Sequence, residues 1–221
     1  MINMAALMAG LTSSADRIDL WDRALAAIRP GSMAEVGVWK GEFAARYLRA
    51  CPFIHTYFMI DPWAKLPDWN KPWNVDTAAF EAVYREALAA TDFAGERRRV
   101  LRGRTVEAAP RIQDQSLDFA YIDGDHTLRG IAVDLIAMWD KVKPGGFIGG
   151  DDLCASIWQH SKEYEPTLVF PFALYFAEAK QVPIYLLDHQ QFLIHKTGGE
   201  AFVCADLTGK YGDRSLRRHL S

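Results

Sequence analysis

Two short segments decide the fold of this chain: Tyr121-Ile-Asp-Gly-Asp-His126 and, farther along, Gly149-Gly-Asp-Asp152. In each segment an apolar run ends in acid, and this run covers 117–122 for the first and 145–148 for the second. The segment between them has helical periodicity, so the whole unit is predicted to be strand, helix, strand. Right-handed crossovers of this kind make the two strands parallel, and their carboxyl ends then meet at one edge of the sheet. Because ligands of open α/β sheets bind at that edge, the two segments mark the predicted site.

The acids at these two strand ends are Asp123, Asp151 and Asp152. Carboxylates that are held close together repel one another unless a cation lies between them. We therefore predict a divalent cation at this place, and ligands that are all oxygen atoms favour Mg²⁺ or Ca²⁺. Another interpretation stays open, in which Asp151 and Asp152 are the solvated acids of a turn.

The composition is that of a globular protein with one domain. The chain has 221 residues, of which 50% are hydrophobic and 24% charged, and this length is enough to bury a substantial core. Its formal net charge of -3 gives no reason to expect nucleic acid or an anionic membrane as a partner.

Neither a targeting segment nor a disulfide framework is expected. The mildly apolar start lacks a basic region and makes a poor signal peptide, and no run is long enough to span a bilayer. The three cysteines, Cys51, Cys154 and Cys204, are odd in number and lack metal-binding spacing. They predict a reducing, cytoplasmic environment without a zinc site.

Strands and helices are predicted to alternate along the chain. Ser13 and Ser14 are expected to cap a first helix that ends at Pro30-Gly31. Near the C terminus, strands at 183–187 and 192–194 form an antiparallel hairpin. The pattern predicts a doubly wound α/β sheet with both faces covered. The other strands are predicted at 33–38, 53–60 and 99–102, and the other helices at 41–50, 78–90, 106–112, 128–141 and 167–180.

The predicted domain has three parts. A helical extension covers residues 1–31, the core covers 32–196, and a tail covers 197–221, with a frayed basic stretch at 214–219. The helical extension and the many aromatic residues indicate a possible contact between subunits of a homo-oligomer.

A glycine-containing turn follows the first predicted strand: Glu35-Val-Gly-Val-Trp-Lys-Gly41. Glycines let a backbone turn tightly and approach a ligand, and the helix amides that follow can face that ligand. The spacing, E-x-G-x-x-x-G, differs from the G-x-G-x-x-G of dinucleotide-binding folds. On its own, such a turn is as typical of a strand that has no ligand.

Two further strand ends carry polar groups that suit a nucleoside. Asp61 ends the second strand, where an acid can accept hydrogen bonds from both ribose hydroxyls or can cap the loop before Pro62. Arg104 and Thr105 end the third strand and could border an adenine or cap the next helix. Three adjacent strand ends of this kind favour a nucleoside ligand more strongly than any one of them alone.

The succession of E-V-G-V-W-K-G, I-D-P, G-R-T, I-D-G-D-H and G-G-D-D resembles the class I S-adenosylmethionine-dependent methyltransferases. Within these, it is similar to the bacterial group that includes macrolide-sugar O-methyltransferases and relatives of cephalosporin hydroxylase, over about residues 32–196. The resemblance implies a seven-stranded sheet in which only the last strand is antiparallel, with S-adenosylmethionine as cofactor. One departure is Phe43, where similar sequences often carry a serine or threonine.

By the same resemblance, the turn glycines Gly37 and Gly41 surround the methionine part of the cofactor and Asp61 holds its ribose. The metal would be bound by Asp123, Asp151 and Asp152, and Asp123 would have a part in catalysis. The complete set of expected cofactor-binding residues is Glu35, Gly37, Val38, Gly41, Asp61, Arg104, Thr105 and Asp123.

The chemistry needs a base as well as a metal. A hydroxyl group is a poor nucleophile until it is deprotonated, and a bound divalent cation lowers its pKa. His126 lies three residues after Asp123, where similar sugar methyltransferases have their general base, and an imidazole titrates near neutral pH. Alternatively, Asp125 and His126 cap the helix that begins near Thr127. The role of Asp125 is left open, as an orienting group for His126 or for a ligand amide.

A long loop rich in proline and tryptophan follows Asp61. Its indoles, Trp63, Trp69 and Trp73, either close over the site as a lid or pack against the domain or a second subunit. Tyr164 could line the acceptor pocket, as could Phe170 and Phe172, although core burial is the more typical place for a phenylalanine. Cys154 and His160 are expected to be packing or surface residues.

The predicted function is a metal-assisted O-methyltransferase that acts on a small hydroxylated acceptor, a saccharide or natural product. One alternative is an oxidoreductase on the same scaffold, although the chain lacks G-x-G-x-x-G and a clear iron-binding triad. Another is a non-catalytic nucleotide-binding protein that retains the site.

Overall fold

The computed structural model describes residues 2–199 and 201–212, so the predicted basic stretch at 214–219 lies outside the described residues. Among them is one sheet of eight strands. The strands are β1 (Ser32–Val36), β2 (Thr56–Asp61), β3 (Arg98–Arg102), β4 (Leu117–Ile122), β5 (Val142–Gly150), β6 (Ile184–Leu187), β7 (Gln191–His195) and β8 (Cys204–Asp206). The helices are α1 (Met4–Leu11), α2 (Arg17–Ile28), α3 (Glu42–Ala50), α4 (Thr77–Thr91), α5 (Thr105–Ala108), α6 (Leu128–Lys141) and α7 (Val169–Lys180).

The order of the strands is β3-β2-β1-β4-β5-β7-β6-β8. The first five strands of the chain are parallel to one another, whereas β7 is antiparallel to both of its neighbours. The predicted doubly wound sheet and its C-terminal hairpin are therefore confirmed. The expected count of seven strands is wrong by one, because β8 adds to the edge of the sheet parallel to β6. Three half-buried residues carry no alternating pattern from which β8 could be predicted.

The N-terminal segment differs from its prediction. It contains a helix, α1, that was not expected, and Ser13 and Ser14 follow this helix instead of capping the next one. Their hydroxyls donate to carbonyl groups in the last turn of α1. The cap of α2 is Asp16, whose carboxylate accepts the backbone N–H of Asp19 at 2.8 Å.

The strand register brings the predicted site residues together. Val36 at the end of β1 pairs with Ile60 on one side and Ile122 on the other, and Ile122 pairs with Gly150. The residues that follow these four positions therefore meet at one edge of the sheet. This edge lies where the strand order reverses, at the junction of β1 and β4, which is the usual ligand position in such folds.

Each face of the sheet is covered by a separate apolar cluster. One cluster joins the sheet to α5, α6 and α7, and the other joins it to α1, α2, α3 and α4. In the second cluster, the fully buried Trp21 of α2 packs edge-on against Phe119 and Tyr121, with ring centroids 5.5 and 5.1 Å away. The first residues of α2 therefore lie beside the ends of β4 and β5. None of the described helices is both long and apolar enough to cross a membrane.

Candidate active site

A cavity of about 610 Å³ opens at the carboxyl edge of the parallel strands. This volume is typical of a pocket for a small molecule or cofactor. Of the residues expected at the site, seven line the cavity and four do not. The seven are Gly37, Asp61, Arg104, Thr105, Asp123, His126 and Asp152, and the four are Glu35, Val38, Gly41 and Asp151.

The turn after β1 lies directly on the backbone that follows β4. Gly37 has a φ of 86°, and a Cβ added to it would lie 1.9 Å from the carbonyl oxygen of Asp123. Only glycine allows both this conformation and this approach. Gly41 also has a positive φ, of 77°, and forms the N-cap of α3, but it faces α4 and not the cavity.

Asp61 organises the turn and the loop that border the cavity. One of its carboxylate oxygens accepts the N–H groups of Val38 and Trp39 at 2.9 and 3.0 Å, and the other accepts that of Trp63 at 2.6 Å. Burial raises the pKa of Asp61, and these hydrogen bonds offset part of the effect. The residue thus has a structural role as well as its predicted place beside a ribose.

Glu35 is buried in β1, away from the cavity. Its carboxylate accepts the hydroxyl of Tyr57 at 2.7 Å, and burial raises its pKa well above the usual range. Phe43, the departure noted in the sequence, stacks on Tyr121 with ring centroids 4.1 Å apart. It therefore belongs to the packing between α3 and the sheet.

Arg104 and Thr105 line the cavity and also stabilise the start of α5. The backbone N–H of Arg104 donates to Glu107, and its guanidinium donates to Asp68 in the loop after β2 at 2.8 Å. The hydroxyl of Thr105 donates to the buried Asp134 at 2.6 Å, and burial raises the pKa of Asp134 to about 7. The capping role considered for these residues is therefore present for Arg104, whereas Thr105 bonds to α6.

The acid cluster brings together Asp123, His126 and Asp152. The distance from His126 Nδ1 to Asp152 Oδ2 is 2.6 Å, and from His126 Nε2 to Asp123 Oδ1 it is 3.6 Å. One potential ligand atom from each residue lies within 4.8 Å of the other two. The Nε2 atom of His126 is buried and has no hydrogen-bond partner among the described residues. Two oxygen donors and one nitrogen donor can bind a divalent cation.

Asp151, which is predicted to bind the metal, has protein partners in the structure. Its carboxylate binds Arg17 from the first turn of α2, and also accepts the side-chain amide of Gln191 at 2.5 Å and the backbone N–H of Asp152 at 2.7 Å. Arg17 also lies 3.6 Å from Asp123. Arg17 was not among the expected site residues, and no local pattern marks it, because it is 134 residues away from Asp151 along the chain.

Protonated side chains balance the negative charge of the acids in this cluster. Burial alone would lower the pKa of His126, but the neighbouring carboxylates of Asp123 and Asp152 outweigh it and raise the pKa to about 10. Burial also raises the pKa of Asp123 and of Asp151, whereas the imidazole helps to lower that of Asp152. In the absence of a metal, an imidazolium and the Arg17 guanidinium supply the positive charge.

A pH dependence of stability follows from His126. Its pKa in the folded protein, about 10, is above its ordinary value of 6.5. The stabilisation is therefore complete below about pH 6.5 and is lost as the pH rises through 10. We expect the difference in unfolding free energy between the wild type and His126→Gln, measured by urea unfolding with chelator, to shrink steadily across this range. A difference that does not change with pH would contradict the assignment.

The tryptophans of the loop after β2 divide between the core of the domain and the cavity wall. Trp63 is buried, and its indole donates to the carbonyl of Trp39 at 2.7 Å, so it packs into the domain. Trp69 and the exposed Trp73 line the cavity, as a lid would. Lys71, which was not among the expected site residues, is buried in the same wall. No local pattern distinguishes it from Lys65, which lies among the same prolines and tryptophans but is exposed.

The remaining candidates divide between core and cavity. His160, expected to be a packing or surface residue, lines the cavity. The ring of Tyr164 lies edge-on to that of His160, with ring centroids 6.2 Å apart, and Tyr164 does not line the cavity itself. Phe170 is buried in the core, and Phe172 packs partly buried against it. Cys154 is half-buried and donates to Gln190 at 3.1 Å.

A model of the methyltransferase domain matches residues 34–153, more than half of the chain. The chain belongs to this methyltransferase family. The matched part of the methyltransferase begins in β1 and contains both acid segments, so it includes most of the cavity wall. A search of curated proteins found no match.

Solved structures share the fold of this methyltransferase at low sequence identity. A proposed caffeoyl-CoA O-methyltransferase from Staphylococcus aureus is 15% identical, with a TM-score of 0.62, and the match covers 89% of this chain and 92% of the other. The methyltransferase PaMTH1 of Podospora anserina, solved with S-adenosylhomocysteine, is 14% identical with a TM-score of 0.57, covering 87% and 88%. The O-methyltransferase TomG of Streptomyces achromogenes, solved with S-adenosylmethionine, is 14% identical with a TM-score of 0.56, covering 81% and 78%. Together with the family match, this likeness confirms the prediction of a class I S-adenosylmethionine-dependent methyltransferase.

Proposed function

We propose that this methyltransferase transfers the methyl group of S-adenosylmethionine to a hydroxyl group of a small acceptor, with the help of a divalent cation. The observation that carries the proposal is the half-buried group of Asp123, His126 and Asp152 on the wall of the cofactor-sized cavity. The family membership supports methyl transfer, and the O-methyltransferases among the structures of similar fold support oxygen as the atom that is methylated.

The cofactor would bind at the end of β1. TomG and PaMTH1 were solved with S-adenosylmethionine and S-adenosylhomocysteine, respectively, and both have this fold. Five of the eight expected cofactor-binding residues lie on the cavity wall and remain our proposal for this role. These are Gly37, Asp61, Arg104, Thr105 and Asp123.

The cation would be held by Asp123 and Asp152, whose oxygens belong both to the set predicted from the sequence and to the cluster in the structure. When bound, it lowers the pKa of an acceptor hydroxyl and fixes its position. Its charge also favours the neutral imidazole of His126, which the carboxylates alone keep protonated. We therefore assign His126 the role of base.

The side chains around the acceptor prepare the proton transfer. Asp152 accepts a hydrogen bond from Nδ1 of His126, so the lone pair of the neutral ring lies on Nε2, the atom without a partner. Nε2 takes the hydroxyl proton as a bond forms between the acceptor oxygen and the methyl carbon, and the bond from this carbon to sulfur breaks. The reaction is an in-line displacement, so alignment is the main task of the protein. Trp69 and Trp73 help to exclude water from the cavity.

A thermal unfolding experiment tests this function against its alternatives. S-adenosylhomocysteine should raise the melting temperature, and Mg²⁺ should increase that shift relative to chelator, because ligands that bind only the folded state stabilise it. A shift with NAD alone would support the oxidoreductase instead. If S-adenosylhomocysteine raises the melting temperature equally with Mg²⁺ and with chelator, the role of the cation is contradicted. If it does not change the melting temperature at all, the proposed cofactor is contradicted.

A further inference from the structure

Lys71 is a buried cation on the cavity wall, and it has no ion-pair partner in residues 2–199 and 201–212. It lies in the loop after β2, and only 5% of its surface is exposed. Its ammonium group donates one hydrogen bond, to the hydroxyl of Thr167 at 3.0 Å, and no carboxylate in the described part of the chain forms an ion pair with it. An ammonium has three donors, so this arrangement leaves two of them for another group.

The acids that act electrostatically on Lys71 each have a hydrogen-bond or ion-pair partner of their own. Asp125, Asp152 and Glu165 act on Lys71 at longer range, and burial lowers its pKa despite them. Burying an ammonium without a paired anion costs free energy, so the unpaired state needs an explanation. The partners of these acids are the Thr127 N–H for Asp125, His126 and Gln159 for Asp152, and Arg129 for Glu165.

A second unused donor lies in the same wall. Trp69, two residues before Lys71, lines the cavity, and its indole N–H is buried without a hydrogen-bond partner among the described residues. Buried donors are nearly always satisfied in folded proteins. Two donor groups with unused N–H bonds on this part of the wall favour a ligand that supplies oxygen acceptors.

Hydrogen bonds connect Lys71 to the acid cluster. Thr167 accepts from Lys71 and donates to the side-chain carbonyl of Gln159 at 2.8 Å. The amide nitrogen of Gln159 then donates to Asp152. Lys71 is thus fixed relative to the group that orients His126. A molecule in this part of the cavity can contact Lys71 and the acid cluster at the same time.

We propose that Lys71 and Trp69 form a subsite for an acidic oxygen group, a carboxylate or a phosphate, that the methyl acceptor carries. The inference rests on the proposed function and narrows its acceptor class to hydroxylated acids. The hydroxyl group lies toward Asp123 and His126, and the acidic group is held by the ammonium and the indole N–H. A charged hydrogen bond of this kind accounts for the lysine at a buried position.

The test is calorimetric titration with the full chain, using protocatechuate, its neutral amide, and phenyl phosphate as probes. We expect the wild type to bind at least one of the two anions about tenfold more tightly than the amide. Lys71→Gln should remove this preference and leave the affinity for the amide unchanged, whereas Lys71→Arg should keep it. Lys65→Gln is the matched control, because Lys65 is an exposed lysine of the same loop outside the cavity wall.

Three results would overturn the subsite. The first is that the wild type binds the anions and the amide with equal affinity, and the second is that Lys71→Gln weakens the binding of anions and amide equally. The third is that neither anion binds. The relative affinities of protocatechuate and phenyl phosphate distinguish a carboxylate from a phosphate. S-adenosylhomocysteine is titrated into the same samples. Failure of that titration with the anion preference intact would reject the proposed cofactor but not the anion subsite.

Discussion

Gly37→Ala is expected to destabilise the fold by at least about 3 kcal/mol and to abolish binding of S-adenosylhomocysteine. The methyl group would have to occupy a point 1.9 Å from the carbonyl oxygen of Asp123, and alanine is strained at a φ of 86°. Because a backbone atom is the obstacle, neither segment can relieve the clash by a change of rotamer. The turn after β1 would have to move away from the segment after β4, and both border the cavity.

Gly145→Ala is the matched control for this substitution. Gly145 has a similar φ of 81°, but nothing lies within 4 Å of a Cβ added there. The control therefore includes the backbone strain without the clash, and about 1–2 kcal/mol is expected. Urea unfolding gives the stability of both variants, and calorimetry gives their affinity for S-adenosylhomocysteine. Equal effects would show that the close approach to Asp123 does not matter.

Asp123→Asn and Asp152→Asn are each expected to weaken the binding of Mn²⁺, used as a probe cation, by at least roughly 100-fold. Changes in groups that only orient metal ligands typically weaken metal binding by roughly 10–100-fold. These substitutions would remove the negative charge of a ligand itself. The two carboxylates are the acidic members of the cluster around His126. Electron paramagnetic resonance of free Mn²⁺ measures the affinity directly and needs no acceptor.

Two further variants decide the remaining roles. Asp151→Asn should weaken the binding of Mn²⁺ by less than about tenfold, because the carboxylate of Asp151 already binds Arg17 and Gln191. His126→Gln should also retain Mn²⁺, as expected for a base. If Asp151→Asn costs as much as Asp152→Asn, the ligand set predicted from the sequence is correct and Arg17 must leave when the cation binds. If His126→Gln loses Mn²⁺, the imidazole is a ligand instead of the base.

Where local pattern governs the structure, prediction from the sequence was accurate. The bounds of β4 and α6 are those expected, because an apolar run that ends in acid sets the first and the Thr127 cap sets the start of the second. The convergence of the turn after β1 with Asp61 and Asp123 followed from parallel strands alone. The cap of α2 was wrong because three polar residues in a short stretch, Ser13, Ser14 and Asp16, all suit the position.

Contacts between distant parts of the chain could not be predicted in this way. The ion pair of Arg17 with Asp151 and the hydrogen bond of Lys71 to Thr167 each join segments that share no local pattern. Both depend on how α2 and the loop after β2 lie over the sheet edge, which tertiary packing decides. For the same reason, the sequence indicated which acids meet but not that Asp151 would bind an arginine while His126 lies between the other two acids.

The bond from Arg17 to Asp151 has a practical consequence for work on the recombinant protein. Removing the first seventeen residues to obtain a shorter chain would delete a positive charge from the catalytic edge along with α1. Loss of activity after such trimming would combine the lost packing of α1 with an electrostatic change at the acids. Arg17→Gln in the complete chain separates the two effects, since it removes the charge and keeps both N-terminal helices.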